Sequence, residues 1–230
     1  MTTGSTEAAV GGAGSAAGGT AGAMGGTAGA VGGVAGGRGV AGSARSVAGV
    51  ARGVAPSARG AVQGLRLRPP CLADEAAFAA GHLAMAAEGF TFGLGYQPGK
   101  PWAGYLKELE DHRHGRNLPA GHVPGTFLVA DVAQQIVGRT SIRFTLNAFL
   151  AERGGHIGYG VLPQYRRRGY ATEILRQSLI IVRAAGAGRV LVTCDQDNAG
   201  SRTVIESCGG VLDSVLTLDG RPPVLRFWID

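Results

Sequence analysis

The chain has 230 residues, 22 Lys and Arg against 16 Asp and Glu, a net charge of +6 and 45% hydrophobic residues. Half of that excess, from Arg38, Arg45, Arg52 and Arg59 against Glu7, sits in a tail ahead of residue 65, so no strongly basic domain remains and nucleic acid is disfavoured as a partner. Cys71, Cys194 and Cys208 are odd in number and lack zinc-ligand spacing, which argues against a secreted disulfide framework; with no long aliphatic run and no basic-then-apolar leader, the expected setting is cytoplasmic, with no membrane partner.

Residues 1–64 are a low-complexity tail of Gly and Ala with scattered Arg. It repeats every seven residues: Thr20-Ala21-Gly22-Ala23-Met24-Gly25-Gly26 is followed by Thr27-Ala28-Gly29-Ala30-Val31-Gly32-Gly33, and Arg38, Arg45, Arg52, Arg59 and Arg66 keep the spacing. The period fits a helical face, and the Arg-rich, acid-poor composition fits a targeting peptide. Interior glycines oppose both, at about 1 kcal/mol each relative to Ala in a helix, with few large side chains to bury in return. A disordered tail is the expectation, followed by one domain over 65–230, long enough to bury a sizeable core.

The domain opens with a short strand at 65–68, stopped by Pro69-Pro70. Residues 73–88 read as a helix, 90–101 as a glycine- and proline-rich loop, and 102–112 as a second helix with Trp102, Tyr105, Leu106 and Leu109 at helical spacing. Residues 126–131 and 135–144 form a hairpin whose second strand puts Ile136, Ile142 and Phe144 on one face and Arg139, Ser141 and Arg143 on the other. A strand at 156–161 leads into a helix at 169–185, stopped by Gly186. A buried strand follows at 189–194, then a short helix with Asn198 as N-cap, and a closing hairpin at 211–218 and 224–229. The strand–helix–strand order at 156–194 predicts a parallel pair with a right-handed crossover between antiparallel hairpins. The expected class is α+β with a mixed, mostly antiparallel sheet.

The densest chemistry lies where the 156–161 strand meets the next helix. Pro163 cannot donate to a ladder and turns the strand away from its neighbour. Arg166, Arg167 and Arg168 then precede Gly169, which lets a ligand approach the positive end of the helix. The arrangement fits a phosphate-bearing ligand, or a solvated basic turn capping the helix. Val161-x-Pro163 followed by Arg166-x-x-Gly169-x-Ala171 resembles the acyl-CoA pyrophosphate signature of the GNAT superfamily of N-acetyltransferases. The likeness continues through the strand at 190–193, Asn198-x-x-Ser201, and Val204-Ile205-Glu206-x-x-Gly209-Gly210. Around Gly154-Gly155-His156-Ile157-Gly158-Tyr159 and Val192-Thr193-Cys194-Asp195, the sequence is similar to a bacterial subgroup of predicted acetyltransferases.

The resemblance implies a sheet splayed between its two parallel strands, acetyl-CoA as co-substrate, no metal, and a primary amine of a small molecule or peptide as acceptor. Val161 would pair with the pantetheine arm; Arg166, Arg167, Arg168, Gly169, Tyr170, Ala171 and Thr172 would wrap the pyrophosphate; Asn198 would bond the pantetheine or thioester, and Ser201 completes the set. An ammonium must lose a proton before attack. His156 is the candidate base or water relay, against a packing role at a strand start. Many relatives carry a tyrosine on the helix after Asn198 to protonate the thiolate. Here Glu206 or water is left for that role, with a solvated glutamate as the plainer reading of Glu206. Asp195 is a further carboxylate near the acceptor, or a turn residue.

The Gly93–Lys100 stretch has the wrong glycine spacing for a phosphate loop, and Pro101 replaces its Ser/Thr. His112-x-His114 reads as a solvated helix end and Cys194 as a small core residue. The acceptor site would be built from 90–101, 145–153 and the terminal hairpin. The alternatives in function are a non-catalytic CoA-binding regulatory module and a tail that tethers the protein to nucleic acid or an acidic surface. The protein is expected as a monomer or homodimer.

Overall fold

The computed structural model describes residues 62, 64–217 and 222–230; the expectation for the tail therefore falls outside the described residues. β1 (Arg66–Arg68), β2 (Gly125–Val132), β3 (Gln135–Arg143) and β4 (Ile157–Val161) form one antiparallel sheet in that order. A second antiparallel sheet has the order β5 (Val190–Asp195), β7 (Val224–Ile229), β6 (Val211–Leu216). The class is mixed α+β, as expected. The expected parallel pair is confined to one backbone-to-backbone hydrogen bond: the His156 N–H donates to the Leu191 carbonyl at 2.8 Å. Beyond it β4 and β5 belong to separate sheets.

Helices cover both faces of the first sheet. α1 (Glu75–Ala86) and α2 (Trp102–Arg113) pack on one side through an aromatic cluster. Phe78 lies at its centre, with the rings of Phe92, Tyr96, Trp102, Tyr105 and Phe127 all within 5.9 Å. The loop between these helices is glycine-rich, yet Phe90 and Phe92 plug it into the core. On the other side lies α4 (Tyr170–Ala184), whose Ile174, Leu175, Ser178 and Val182 form the buried stripe foreseen in the sequence. The short α3 (Ala148–Glu152) and α5 (Ala199–Ser207) complete the set, and Asn147 and Asn198 cap them through side-chain oxygens. Among the described residues no helix is long and apolar enough to cross a membrane.

One face assignment differs from expectation. Ala130 pairs with Gly138 but Asp131 pairs with Ile136, so Val137 is an extra residue in β3. This bulge turns Ile136 toward the α1–α2 side, while Ile142 stays on the α4 side. A period-2 count cannot foresee the extra residue.

At the terminus of β1, the Arg68 guanidinium bridges two buried carboxylates, Asp74 at 2.6 Å and Asp131 at 2.8 Å, and ties the first strand to the start of α1 and to β2. Phe78 is wholly buried. Phe78→Ala is expected to destabilise the domain by about 3–5 kcal/mol, read as a lower midpoint of urea unfolding.

Candidate functional site

The turn into α4 is shaped by two left-handed residues, Arg167 at φ 62° and Gly169 at φ 83°. Such alternation gathers successive N–H groups into a concave anion nest. Inside the helix, Glu173 N–H makes the first bond, to Gly169 O at 3.2 Å. The N–H groups of Tyr170, Ala171 and Thr172 thus have no intrahelical acceptor. Arg167 and Arg168 are exposed and form no salt bridge among the described residues; Arg168 stands over the Tyr165 ring at 5.7 Å. Arg166 is committed elsewhere. Its Nε donates to Val161 O at 3.1 Å and its Nη2 pairs with the Glu88 carboxylate at the end of α1. It fixes the turn, and leaves two arginines free to meet an anion where the sequence offered three.

The free edge of β4 runs from His156 toward this nest. Leu162 N–H donates to Val137 O at 3.0 Å. By antiparallel alternation, the N–H groups of Tyr159 and Val161 point away from β3, into the gap before β5. Across the gap stands the start of α5. Asn198 is buried; its Oδ1 accepts from Ser201 N–H at 3.0 Å, while its amide NH2 has no partner. An unpaired buried donor is costly, and here it lies beside an open strand edge. Ser201 Oγ is 2.8 Å from the Tyr159 hydroxyl. Burial raises the Tyr159 pKa, so the phenol keeps its proton.

An acetyltransferase (GNAT) domain model matches residues 64–211. The chain belongs to the GNAT acetyltransferases. Solved GNAT structures share its fold at low identity. RimJ of Mycobacterium smegmatis, in complex with CoA-disulfide, superposes with a TM-score of 0.53 at 23% identity, over 72% of this chain and 81% of that one. A GNAT-family acetyltransferase of Streptococcus pneumoniae gives 0.51 at 16% identity, over 71% and 97%. The microcin C7 self-immunity acetyltransferase MccE, in complex with acetyl-CoA and AMP, gives 0.50 at 15% identity, over 73% and 93%. A search of the curated proteins found no match.

The two residues singled out for proton transfer in this GNAT chain have other commitments. His156 Nδ1 accepts the Leu191 N–H at 2.9 Å. A neutral ring that accepts at Nδ1 carries its proton on Nε2 and has no second lone pair for an incoming ammonium. In this tautomer the ring links the two sheets through Leu191. Burial lowers its pKa, and the Arg143 charge adds to the effect. Glu206 is exposed and pairs with Arg202 at 2.8 Å, one turn back on its own helix. Asp195 pairs with Arg153 at 2.8 Å, and burial pushes Cys194 up to about 12, which keeps it a thiol. His112 Nδ1 lies 2.9 Å from Gly125 O and His114 pairs with Glu110. Among the described residues no group of three His, Cys, Asp or Glu side chains is placed to hold a metal.

Sequence reasoning missed Tyr159 as a partner of α5. It sought a tyrosine on the helix itself, whereas the phenol comes from β4, 42 residues earlier. Alternation along β4 was the available signal, since Tyr159 shares a face with the buried Ile157 and Val161.

A lowered folded-state pKa for His156 means that its contribution to stability is full above the unfolded value of about 6.5 and is lost as pH falls toward the folded value. The NMR titration of its ring is expected to show the Nε2–H tautomer, with an inflection below pH 6.5. An inflection above that value would contradict the strut geometry.

Proposed function

We propose that residues 65–230 form a cytoplasmic, acetyl-CoA-dependent N-acetyltransferase that acetylates a primary amine of a small molecule or peptide by direct attack in a ternary complex. The observation that carries this reading is the opened edge of β4, which runs from a clamped end at His156 to an anion nest at the head of α4. Two proteins with this fold, RimJ and MccE, are described with CoA-disulfide and with acetyl-CoA.

In this reading Arg167, Arg168 and the N–H groups of Gly169, Tyr170, Ala171 and Thr172 hold the pyrophosphate. The Val161 N–H pairs with the pantetheine arm, and the orphaned Asn198 amide donates to a pantetheine carbonyl. The nitrogen lone pair attacks the thioester carbon; the oxygen gains negative charge and is met by the Tyr159 N–H, a preorganised donor at the gap edge. Collapse breaks the C–S bond and releases CoA thiolate; the former amine nitrogen sheds its second proton to water, and a proton taken up from water completes the CoA thiol. Tyr159 retains its proton, donates it in a hydrogen bond to Ser201 Oγ, and so frees the serine hydrogen to meet the sulfur. His156 is left as the strut, and the ammonium proton leaves through water.

Free-thiol release from acetyl-CoA across an amine panel tests the reaction. Arg168→Glu with Gly169→Glu is expected to weaken acetyl-CoA binding by at least tenfold, about 1.4 kcal/mol, in calorimetry. Ser201→Ala and Tyr159→Phe are expected to lower kcat by about tenfold or more, with acetyl-CoA affinity nearly unchanged. Unchanged affinity in the double variant would remove the nest from the cofactor site.

A further inference from the structure

β3 carries two buried arginines that no carboxylate answers among the described residues. Arg139, Ser141 and Arg143 alternate along β3 on the α1–α2 side, opposite Gly160, Gly158 and His156 of the neighbouring strand. Arg139 and Arg143 are only 4% and 8% exposed, and neither forms a salt bridge among the described residues. Arg139 Nη1 donates to Gly158 O at 3.1 Å and Nη2 to Thr91 O at 2.9 Å, but its Nε is buried without a partner. Arg143 has one long contact, to Gly154 O at 3.5 Å. The Tyr105 hydroxyl, which interacts electrostatically with Arg139, is also buried and unpaired. The titratable neighbours of Arg143, His112 and His156, are held toward their neutral forms by burial and bring no negative charge. Burying a cation without an anion is among the most costly arrangements in a protein.

Three polar side-chain atoms gather beside one backbone position. Arg139 Nη1 already donates to Ser141 Oγ at 3.4 Å as well as to Gly158 O, so the donors left over are Arg139 Nε and those of Arg143. A Cβ built on Gly158 would lie 3.3 Å from Ser141 Oγ, 3.4 Å from Arg143 Nη1 and 3.6 Å from Arg139 Nη1. Because Gly158 has no side chain, no Cβ stands between these groups; a ligand atom would lie further out than that position, beyond contact with the Gly158 backbone.

We propose that Arg139, Ser141 and Arg143 seat the oxyanion of the acceptor, so that the amine acetylated belongs to a small molecule carrying a carboxylate or phosphate. The inference rests on the acetyltransferase reading and narrows its substrate class. Gly158 is adjacent in β4 to Tyr159, whose N–H faces the gap. At about 3.3 Å of rise per residue, only a few bonds can separate the oxyanion from the attacking nitrogen. That geometry selects amino-acid-like or phosphorylated amino-alcohol acceptors over the N-terminus of a long chain, whose carboxylate is remote. Burial lowers Arg139 to about 9, with the Arg143 charge adding to it, and burial lowers Arg143 to about 10; an anion bound between them favours both charges. A strut role explains the Gly158, Ser141 and Thr91 contacts and the seat over the Phe90 ring, but leaves the Arg139 Nε, the Tyr105 hydroxyl and most of Arg143 without a partner.

The test is a thiol-release panel of matched acceptors with the full chain: amino acids, their amides and the corresponding decarboxylated amines in one arm, and phosphorylated amino alcohols with their free alcohols in the other. The expected result is that one arm's anionic members exceed their neutral counterparts at least tenfold in kcat/KM. Arg143→Gln removes that preference through KM, and Arg143→Lys restores part of it. The responding arm names the oxyanion. Neutral acceptors turning over equally well, or a preference that survives Arg143→Gln, overturns the proposal. If no amine releases thiol, the acetyltransferase reading fails separately. The seat is then judged by calorimetric titration of CoA-loaded protein with acetate and with inorganic phosphate: saturable binding lost in Arg143→Gln supports it, and absence of binding to the wild type overturns it. Ser141→Ala, which removes one donor without touching a buried charge, is expected to raise acceptor KM severalfold and covers the case in which Arg143→Gln fails to fold.

Discussion

The His156 N–H and ring Nδ1 together occupy the carbonyl and amide of Leu191, and this double contact is the hinge on which β4 and β5 diverge. A continuous ladder would spend the polar groups of both strands on each other. A complete separation would leave two exposed edges, a liability for any sheet. Pinning one end gives an edge that is shielded by α4 and α5 yet still has N–H groups to offer. The imidazole suits the task because its acceptor nitrogen can replace a backbone carbonyl where the chain bends at Gly155, which sits at φ 59°. A Cβ at Gly155 would approach Leu191 O to 2.4 Å, so the close approach of the two sheets depends on that glycine.

At the other end of β4 the same economy holds. Arg166 reaches back to the Val161 carbonyl and across to Glu88. It couples the head of α4 to the tail of α1, and so links the proposed cofactor turn to the helices that wall the opposite face. The turn conformation demands left-handed backbone at Arg167 as well as Gly169. A non-glycine residue there carries strain that the surrounding contacts must hold. The anchored Arg166 supplies one such contact, which gives a reason for three arginines in a row even though only two face solvent.

Much of this was legible in the chain. The strand–helix order, the Asn198 cap, the α4 stripe and the basic turn rest on local rules of propensity, capping and periodicity, and each element formed within a few residues of expectation. What escaped depended on distant partners. The bulge at Val137 is set by how β2 pairs, and no count along β3 alone reveals it. The commitment of His156 depends on Leu191, 35 residues away, and that of Arg166 on Glu88, 78 residues away. Arg139 and Arg143 read as a polar face of β3, and their burial, Arg139 against the Phe90 ring, depends on packing that no count along β3 reveals.

The period of two along β4 explains how one short strand can serve two ligands in the proposed enzyme. Ile157, Tyr159 and Val161 point to the α4–α5 side, where their bulk seals the core and brings the Tyr159 hydroxyl to Ser201. His156, Gly158 and Gly160 take the other side, and two of these three have no side chain at all. The space at Gly160 is filled by Phe90, over whose ring Arg139 lies at 4.7 Å. The position at Gly158 is bordered by the Ser141 hydroxyl and the guanidinium groups of Arg139 and Arg143. Large residues on one face and absent ones on the other are opposite answers to one constraint. The strand must be rigid enough to aim its N–H groups into the gap and thin enough to let an acceptor reach the same atoms from behind.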